Sequence, residues 1–552
     1  MPYIKTQKIV KDKNGVILSG SAAIIDSEYI TGPNHHTKKH VRERLGKILF
    51  LAEDKRSGIF LSPTRGMTEY DSCTDTFSEV DHADRRLSGS PQFPEPQIHT
   101  IFGDTYLLLE FMKKCGLIKV FRTVFSENEL FEKVIVHTLH DVLYDQLKTK
   151  CNDFLTASFV SYLFQDLPVS SLRSDCSYYS EMGDDSLRVH FFREFVKLME
   201  KESQKENPYI QCAKEFGKGC YVDSTPLPNE IRRLMSNAYC SHGTAGSCLQ
   251  TRMFLVLDDE TDLPAWYGTT PGNVLDLSTI NTIISDTDIS VGVEVDSLVL
   301  DAGYLTKEFL KSYTLEQSGK KTFKKVFIGK SPRKRGFHFQ TLYEEVKPLL
   351  SNAKYELIRN GKIYFAYKKK REYFGNPLFA YIYLDEYNAL NGHIAYIEEH
   401  ETEYQKMTDK EKNWNKVQSG FFILISNIDT DPAEILERYI TRVEIEKVFK
   451  TGKDYTSLLP LAKWTKKRVD GKLFSEMIST LVILLLRKKL IPQGLSLPDF
   501  TGKPKSQMCF KNENGQVIIE TPNKQVKELY QALDIKIPDY INLSDYLSHI
   551  TG

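Results

Sequence analysis

The sequence has no C-x-x-C cysteine pair, no long hydrophobic run and no net charge. Its nine cysteines are scattered through 552 residues, which argues against a thiolate zinc site and predicts reduced thiols in a cytoplasmic protein. The most apolar run, residues 481–486, is far shorter than the ~20 residues that a membrane-spanning helix needs. The chain also begins without an apolar stretch of signal-peptide length. We therefore expect no membrane partner and no secretory leader.

The composition is that of a folded globular protein. Apolar residues make up 41% of the chain and charged residues 26%, which excludes a disordered or low-complexity protein. Although 73 basic residues balance 73 acidic ones, the charges are segregated. Residues 251–301 contain ten acids and one base, whereas residues 315–372 contain sixteen Lys or Arg and five Glu, interleaved with aromatic residues. Such a stretch favours binding to nucleic acid, although a solvated surface would have a similar composition.

Periodicity and composition divide the chain into six segments of an α/β protein. The predicted segments are a small β-rich N-terminal unit with a linker (1–100), a helical block (101–215), the first part of an α/β core (216–312), a β-rich basic insertion (313–418), the second part of the core (419–490) and a C-terminal tail (491–552). The linker is expected from about residue 66, where the alternation gives way to a polar, broken stretch.

Two acidic residues lie on or at the end of apolar strand-like runs of the predicted core. Asp223 lies in the run CYVDSTPL, and Asp301 ends the run LVLD. Between them, residues 252–258 and 263–272 predict a β-hairpin closed by the acidic turn 259–262. A carboxylate in such a setting is costly unless it is paired or binds a cation.

A helix is predicted after Asp431, which is followed by Pro and, two positions later, by Glu. Within it, Tyr439, Arg442, Glu446 and Lys453 are spaced so that all four point into a stripe about 60° wide. The stripe is consistent with a surface row of ion pairs or with a binding site that presents an acid between two bases and a phenol. Together with Asp223 and Asp301, Glu446 gives three oxygen ligands of the kind that Mg²⁺ or Mn²⁺ prefers.

The complete spacing Tyr-x2-Arg-x3-Glu-x6-Lys resembles the signature of DDE transposases of the IS-four superfamily of bacterial insertion sequences. YVDSTPL places Asp223 like the first catalytic Asp of that family, and LVLDAGY places Asp301 like the second. The segment WYGTTPGNVLD, which begins at Trp266, resembles the family's hairpin and Gly-Asn turn. The resemblance spans residues 216–490.

This resemblance implies a ribonuclease H-like core, interrupted by a mostly β insertion and preceded by the helical block and the small β-rich unit. It implies that Asp223, Asp301 and Glu446 are the catalytic residues and bind two Mg²⁺ or Mn²⁺ ions. Such enzymes hydrolyse a phosphodiester at the end of the element and then direct the freed 3′-hydroxyl at target DNA. Two ions ~3.5–4 Å apart can activate the attacking oxygen and stabilise the leaving one.

The resemblance also implies partners. Tyr439, Arg442 and Lys453 are expected to hold DNA near the cut. The basic residues expected to bind DNA in the insertion are Lys330, Arg333, Lys334 and Arg335. The implied partners are the terminal inverted repeats, the target DNA and a second copy of the chain on paired ends, in the bacterial cytoplasm. The helical block is the candidate for binding the element's ends, by its position only.

Gly329, Lys330 and Ser331 look like the end of a phosphate-binding P-loop. However, Lys324 stands where that loop requires Gly, and no apolar strand is predicted before it, so no nucleotide cofactor is expected. Two alternatives to the transposase remain open: a non-catalytic DNA-binding protein on the same scaffold and a metal-dependent nuclease. The first differs in whether the three acids form a working metal site, and the second in whether cut strands are joined.

Overall fold

The structure is a computed structural model, and it forms two compact units, Met1–Gln97 and Ile98–Gly552. It describes residues 2–11, 17–30, 36–80, 99–144, 150–168, 172, 175–206, 219–231, 234, 235, 237–239, 249–272, 283–285, 287, 290–292, 295, 297–301, 303–317, 320–359, 361–441, 443–456, 458–463, 465–512 and 515–551. In these ranges, no helix combines the length and the apolar character that crossing a membrane requires.

The first unit is a six-stranded antiparallel sheet in which the strands follow one another in chain order. Its strands are β1 (Tyr3–Lys11), β2 (Ile17–Ile30), β3 (His36–Leu51), β4 (Ser57–Ser62), β5 (Gly66–Asp71) and β6 (Thr76–Glu79). The linker predicted from residue 66 is therefore wrong as far as residue 79. The strands there are short and polar, so their alternation of buried and exposed residues was not recognised. In β5, Thr68 and Tyr70 point into the core of the unit.

The second unit begins with a largely buried helical block. Its helices are α1 (Gly103–Lys114), α2 (Leu117–Val124), α3 (Asn128–Leu143), α4 (Cys151–Ala157), α5 (Val160–Leu163), α6 (Asp175–Met182) and α7 (Asp185–Glu206). The predicted apolar run 481–486 lies on a helix from the far end of the chain, Lys466–Leu490, which packs against α3 and α6. Leu481, Val482 and Ile483 are completely buried there, which explains their apolar character.

The C-terminal tail packs on this helical block. Strand β7 (Thr100–Ile101) pairs with a tail strand, Met508–Lys511, so that Thr100 stands opposite Cys509. Two further tail strands, Gln516–Ile519 and Tyr540–Asn542, complete a four-stranded sheet. The tail helices are Leu497–Gly502, Lys524–Ala532 and Leu543–Thr551.

A ten-stranded mixed sheet forms the centre of the second unit. Its strands are β8 (Gly219–Pro228), β9 (Ala238–Tyr239), β10 (Leu249–Asp258), β11 (Pro264–Pro271), β12 (Ser297–Leu300), β15 (Val326–Lys330), β16 (Glu356–Arg359), β17 (Lys362–Tyr373), β18 (Asn376–Asp385) and β19 (Phe421–Ser426), with β13 (Thr314–Gln317) and β14 (Lys320–Phe323) as a separate hairpin. The order is β11-β10-β8-β12-β15-β19-β18-β17-β16, in which β8, β12 and β15 are parallel neighbours. The predicted hairpin is confirmed, because β10 and β11 pair antiparallel.

The segment predicted as a mostly β insertion is mixed, so that prediction is wrong. Its helices are α9 (Phe339–Val346), α10 (Glu386–Lys406) and α11 (Asp409–Asn415), and α8 (Lys307–Tyr313) precedes it. The charged helices α10 and α11 lack a buried apolar stripe, since each buries a single residue, and therefore gave no helical pattern. The strands β16, β17 and β18 extend the central sheet beyond β19.

Three helices follow β19, the strand predicted at residues 421–426. They are α12 (Pro432–Thr441), α13 (Val443–Tyr455) and α14 (Lys466–Leu490). The predicted start after Asp431 is confirmed, because Asp431 Oδ1 accepts a hydrogen bond of 2.7 Å from the Ala433 N–H. Of the residues of the expected stripe, Tyr439 lies on α12, and Glu446 and Lys453 lie on α13. Arg442 lies outside the described residues.

Candidate active site

Two of the predicted acids lie side by side on neighbouring strands. In the parallel pairing of β12 with β8, Ser297 stands beside Gly219 and Val299 beside Tyr221. Asp223 lies two residues beyond Tyr221 on β8, and Asp301 lies two residues beyond Val299, directly after β12. Asp223 and Asp301, called the acid pair below, are therefore expected to lie close together at the carboxyl end of β12.

Lys330 extends this row by one strand. The parallel pairing of β12 with β15 sets Leu300 beside Gly329, and the next step of the register sets Asp301 beside Lys330. The apolar strand that the sequence analysis did not find before Lys330 is β15, with Phe327 and Ile328 buried. Three neighbouring strands thus present an acid, an acid and a base in one row, which is an arrangement suited to a cation and an adjoining phosphate.

The face that carries the acid pair is covered by α12 and α13. Tyr221 and Thr225 lie two positions before and after Asp223, so all three share a face. The Tyr221 phenol is hydrogen-bonded to the Thr441 side chain, and burial raises its pKa well above the usual value. Lys453 Nζ donates a hydrogen bond of 2.8 Å to Thr225 Oγ1. Asp223 consequently faces the stretch of chain between Thr441 and Lys453.

Glu446 lies in that stretch, on the same side of α13 as Lys453, because seven residues make two helical turns to within about 20°. Its side chain is exposed, whereas Asp223 and Asp301 are half-buried. Within the described ranges, no three His, Cys, Asp or Glu side chains are close enough together to hold a metal ion. The structure therefore pairs Asp223 with Asp301 and leaves Glu446 on the facing helix without bringing it into a metal-binding trio.

A hydrogen-bonded cluster fastens the loop after Asp301 to β8. Ser224 Oγ accepts hydrogen bonds of 2.9 Å from both Tyr304 Oη and Arg252 Nη2. The backbone N–H of Ser224 donates to Asp223 Oδ1 at 2.8 Å. These contacts orient the Asp223 carboxylate and tie the segment after Asp301 to the strand that carries Asp223.

A buried ion pair fastens α12 to the hairpin turn beside β8. Arg438 Nη1 lies 3.1 Å from Asp259 Oδ2, and only 17% and 11% of the two side chains are exposed. Burial raises the pKa of Asp259 to about 6, although Arg438 opposes the shift. The Gly219 N–H donates to Asp259 Oδ1 at 3.2 Å, and a Cβ at Gly219 would lie only 1.8 Å from Asp259 Oδ2. The acidic turn thus positions the helix that leads to Glu446.

Three predicted DNA-binding residues line one cavity of about 580 Å³. They are Lys330, Arg333 and Tyr439, and the cavity wall also includes Lys362 and Tyr364. The guanidinium of Arg333 lies 5.6 Å from the centre of the Phe339 ring and 5.8 Å from that of Trp414. Because Lys330 belongs to both the row and the cavity, the two adjoin.

Three further residues predicted to bind DNA are Lys334, Arg335 and Lys453. Lys334 is exposed beside Arg333, and Arg335 begins a short 3₁₀ helix, Arg335–Phe337, in which its side chain is not described. Lys453 is half-buried, and burial lowers its pKa.

Sequence reasoning missed Thr225, Asp259, Arg438 and Tyr304, which all act through contacts between distant segments. The acidic turn gave the one available signal, because Asp259 lies in a region with ten acids and one base.

The comparisons with known proteins bear on this region. Residues 215–474 match a family model described as the transposase DDE domain. This region of the chain is therefore similar to a transposase DDE domain. The matched residues make up just under half of the chain and include β8, β12 and α13. No curated protein matches the chain. Among solved structures, a cryo-EM structure of the piggyBac transposase synaptic complex with hairpin DNA matches with a TM-score of 0.31 and 12% identity, over 78% of this chain and 84% of that chain.

Proposed function

We propose that the protein is a DNA transposase of the IS-four type, which cuts at the ends of an insertion sequence and joins the freed strand to target DNA. The observation that supports this proposal is the acid pair: Asp223 on β8 and Asp301 directly after β12 belong to two paired neighbouring strands, within the residues that match the transposase DDE model. The strand order β11-β10-β8-β12-β15, with the first two connections antiparallel and the next two parallel, supports a ribonuclease H-like core.

The donor set suits a hard divalent cation. Two carboxylates on adjacent strands would repel each other without a cation between them, and oxygen ligands of this kind favour Mg²⁺ or Mn²⁺. Asp223 and Asp301 would hold the ions, and Glu446 would join them from α13 when DNA is bound. The metal would supply activation of the attacking oxygen and stabilisation of the leaving oxygen.

The remaining residues would hold the DNA. In the first step a water oxygen forms a bond to phosphorus while the bond to the 3′-oxygen breaks, which leaves a 3′-hydroxyl and a 5′-phosphate. In the second, the oxygen of that 3′-hydroxyl forms a bond to a target phosphorus while the bond from that phosphorus to the target's own 3′-oxygen breaks, which joins the strands and leaves a 3′-hydroxyl on the target. Lys453 and Lys330 flank the acids and suit the phosphate on either side, and Arg442 would add a bidentate contact.

The cavity lined by Lys330, Arg333 and Tyr439 suits a nucleotide near the cut, since it combines cations with aromatic rings. The aromatic rings of Tyr364, Phe422 and Tyr439 line this cavity and would allow base stacking there. Lys334 and Arg335 would extend the basic surface. A homodimer on paired ends and a bacterial cytoplasmic setting complete the proposal.

A second candidate is a non-catalytic DNA-binding protein on the same scaffold. It is favoured by one observation: among the described residues Glu446 is exposed and no metal-binding trio is formed. A metal-dependent nuclease would share the acid pair and cut strands without joining them.

The test measures strand cleavage and joining in Mg²⁺ or Mn²⁺ on DNA that carries the element's own ends. Glu446→Gln removes one ligand charge at nearly constant volume, and Glu444→Gln, on the same helix, is the matched control. We expect both reactions to be lost in the first variant and kept in the second. Cleavage that persists in Glu446→Gln would refute the triad. Cleavage without joining would favour the nuclease, and tight binding without cleavage the DNA-binding protein.

A further inference from the structure

We propose that the N-terminal unit is a reader of duplex DNA, and that its β2–β3 hairpin enters the major groove. The DNA partner rests on the proposed function, but the surface is distinct from the candidate active site and lies in a separate compact unit.

The hairpin extends beyond the rest of its sheet. Strand β1 pairs with β2 only as far as Ile25, and β4 pairs with β3 only from Lys47. Beyond these points, β2 and β3 pair only with each other, from Asp26 opposite His40 to Ile30 opposite His36. Five such pairs make a ribbon about 17 Å long. A two-stranded ribbon of this kind fits the major groove of B-form DNA, which is ~12 Å wide and ~8.5 Å deep.

One face of β1–β3 is basic and carries no acid. The pairing places Lys5 beside Ala23, Arg44 beside Ala23 and Lys39 beside Ser27, so these three cations share a face. Lys47, beside Ser21, adds a fourth. All four are exposed. We call this the outer face.

The acids of these three strands all lie on the opposite face. They are Asp26, Glu28 and Glu43, and Glu43 stands beside the buried Ile24. Two of them face bases there: Asp26 Oδ2 lies 3.7 Å from His40 Nε2, and Glu28 stands opposite Lys38. The opposite face is thus close to neutral, and a polyanion is attracted to the outer face.

The outer face of the ribbon presents side chains that can contact base edges. Tyr29 stands beside Thr37, and Ser27 beside Lys39. Tyr29 is 62% exposed, and Val41, which stands opposite Ile25 next to the ribbon, is 58% exposed, so DNA can reach both side chains. Hydroxyl groups and Lys donate to bases in the groove, and an apolar group such as Val41 can contact the thymine methyl. Lys5, Arg44 and Lys47, nearer the body of the sheet, would then meet phosphates.

Charge decides against a second copy of the chain as the partner. Two outer faces brought together would oppose cations with cations, since the face has no acid to pair with Lys39 or Arg44. The helical block is a weaker reader, because α1 and α3 bury most of their residues.

The test uses the full chain and a duplex carrying the element's ends, without divalent metal so that cleavage plays no part. Lys5→Gln, Lys39→Gln and Arg44→Gln are combined in one variant. The matched control combines Lys11→Gln, Lys55→Gln and Arg56→Gln, which removes the same charges from other surfaces of the same unit. Affinity falls as salt rises, and we expect the slope of log affinity against log salt to become less negative by about 3 in the first variant. In the control the slope should stay unchanged. Equal slopes in both variants would overturn the proposal.

A second variant, Tyr29→Ser with Val41→Thr, tests base reading apart from charge. We expect the preference for the element's ends over an unrelated duplex to fall at least severalfold, with the salt slope unchanged. An unchanged preference would refute major-groove reading. Failure of this proposal is distinguishable from failure of the proposed function, because cleavage by the unmodified chain is measured separately. If the unmodified chain cuts DNA and both variants bind DNA as it does, this proposal alone is refuted.

Discussion

Asp223 lies on β8 and Asp301 directly follows the neighbouring strand β12, whereas Glu446 lies on a helix, and the two settings differ in what holds the acids. Asp223 is held by the pairing of β8 with β10, and Asp301 directly follows the paired strand β12, so the sheet restricts the movement of both. Glu446 is held through side-chain contacts of its helices, namely Lys453 with Thr225, Tyr221 with Thr441 and Arg438 with Asp259. In the proposed metal site, Asp223 and Asp301 would therefore form a permanent half that the sheet holds, and Glu446 an adjustable half that side-chain contacts hold.

The largest expected effect is on the permanent half. Asp301→Asn is expected to lower the cleavage rate about 10³-fold or more, because it removes several kcal/mol of charge stabilisation. In metal-free buffer the same change should raise the free energy of unfolding by up to about 1 kcal/mol, since it relieves the repulsion with Asp223. Added Mg²⁺ should then stabilise the unmodified protein and not the variant. Stabilisation of both by Mg²⁺, measured by thermal unfolding, would contradict the assignment.

The next effect concerns the fastening of the adjustable half. Arg438→Met should lower the free energy of unfolding by about 3 kcal/mol, because it leaves the Asp259 carboxylate buried without its partner. The double variant with Asp259→Asn should recover much of that loss. Urea unfolding measures both. A cost below about 1 kcal/mol for the single variant would mean that the pair does not hold α12.

The same pair gives the adjustable half a pH dependence. The pKa of Asp259 is raised to about 6 in the folded protein, so the folded state binds the proton more readily than the unfolded chain. Its contribution to stability is therefore full below about pH 4 and is lost as the pH rises through 6. Between pH 7.5 and 4.5 we expect the unmodified protein to gain about 2 kcal/mol relative to Asp259→Asn. A constant difference between the two across this range would show that Asp259 titrates normally.

The smallest effect concerns the contact that sets α13 against β8. Lys453→Met should lower cleavage roughly 10-fold, about 1.4 kcal/mol, since it removes the bond to Thr225 and one phosphate contact. Thr225→Ser keeps the hydroxyl and is expected to behave like the unmodified protein. If Lys453→Met cleaves at the normal rate, the register of α13 does not depend on this contact.

The sequence predicted those parts of the molecule that depend on local patterns. The β10–β11 hairpin, the start of α12 at Asp431 and the apolar strands that lead to Asp223 and Asp301 all follow from periodicity and capping within a few residues. These local patterns could not show which strands belong to the same sheet. Strand β15 was missed because its five residues lie between basic stretches that resemble loop, and with it the alignment of Lys330 beside Asp301.

Contacts between distant segments were equally out of reach. Arg438 and Asp259 are 179 positions apart, and Lys453 and Thr225 are 228 apart, so no local spacing reveals either. The charged helices α10 and α11 were missed for a different reason, since helices that bury almost nothing leave no apolar stripe to detect.

The pairing of β7 with the tail has a consequence for the time at which the protein becomes complete. Thr100 and Cys509 are partners separated by 409 residues. At ~5–20 residues per second a ribosome needs about 20–80 s to supply the second after the first. Throughout that interval, the C-terminal tail that pairs with β7 and packs on the neighbouring helices has not yet been synthesised. A nascent chain therefore passes most of its synthesis without this closure, and the window in which chaperones or proteases can act on the helical block is set by the speed of translation.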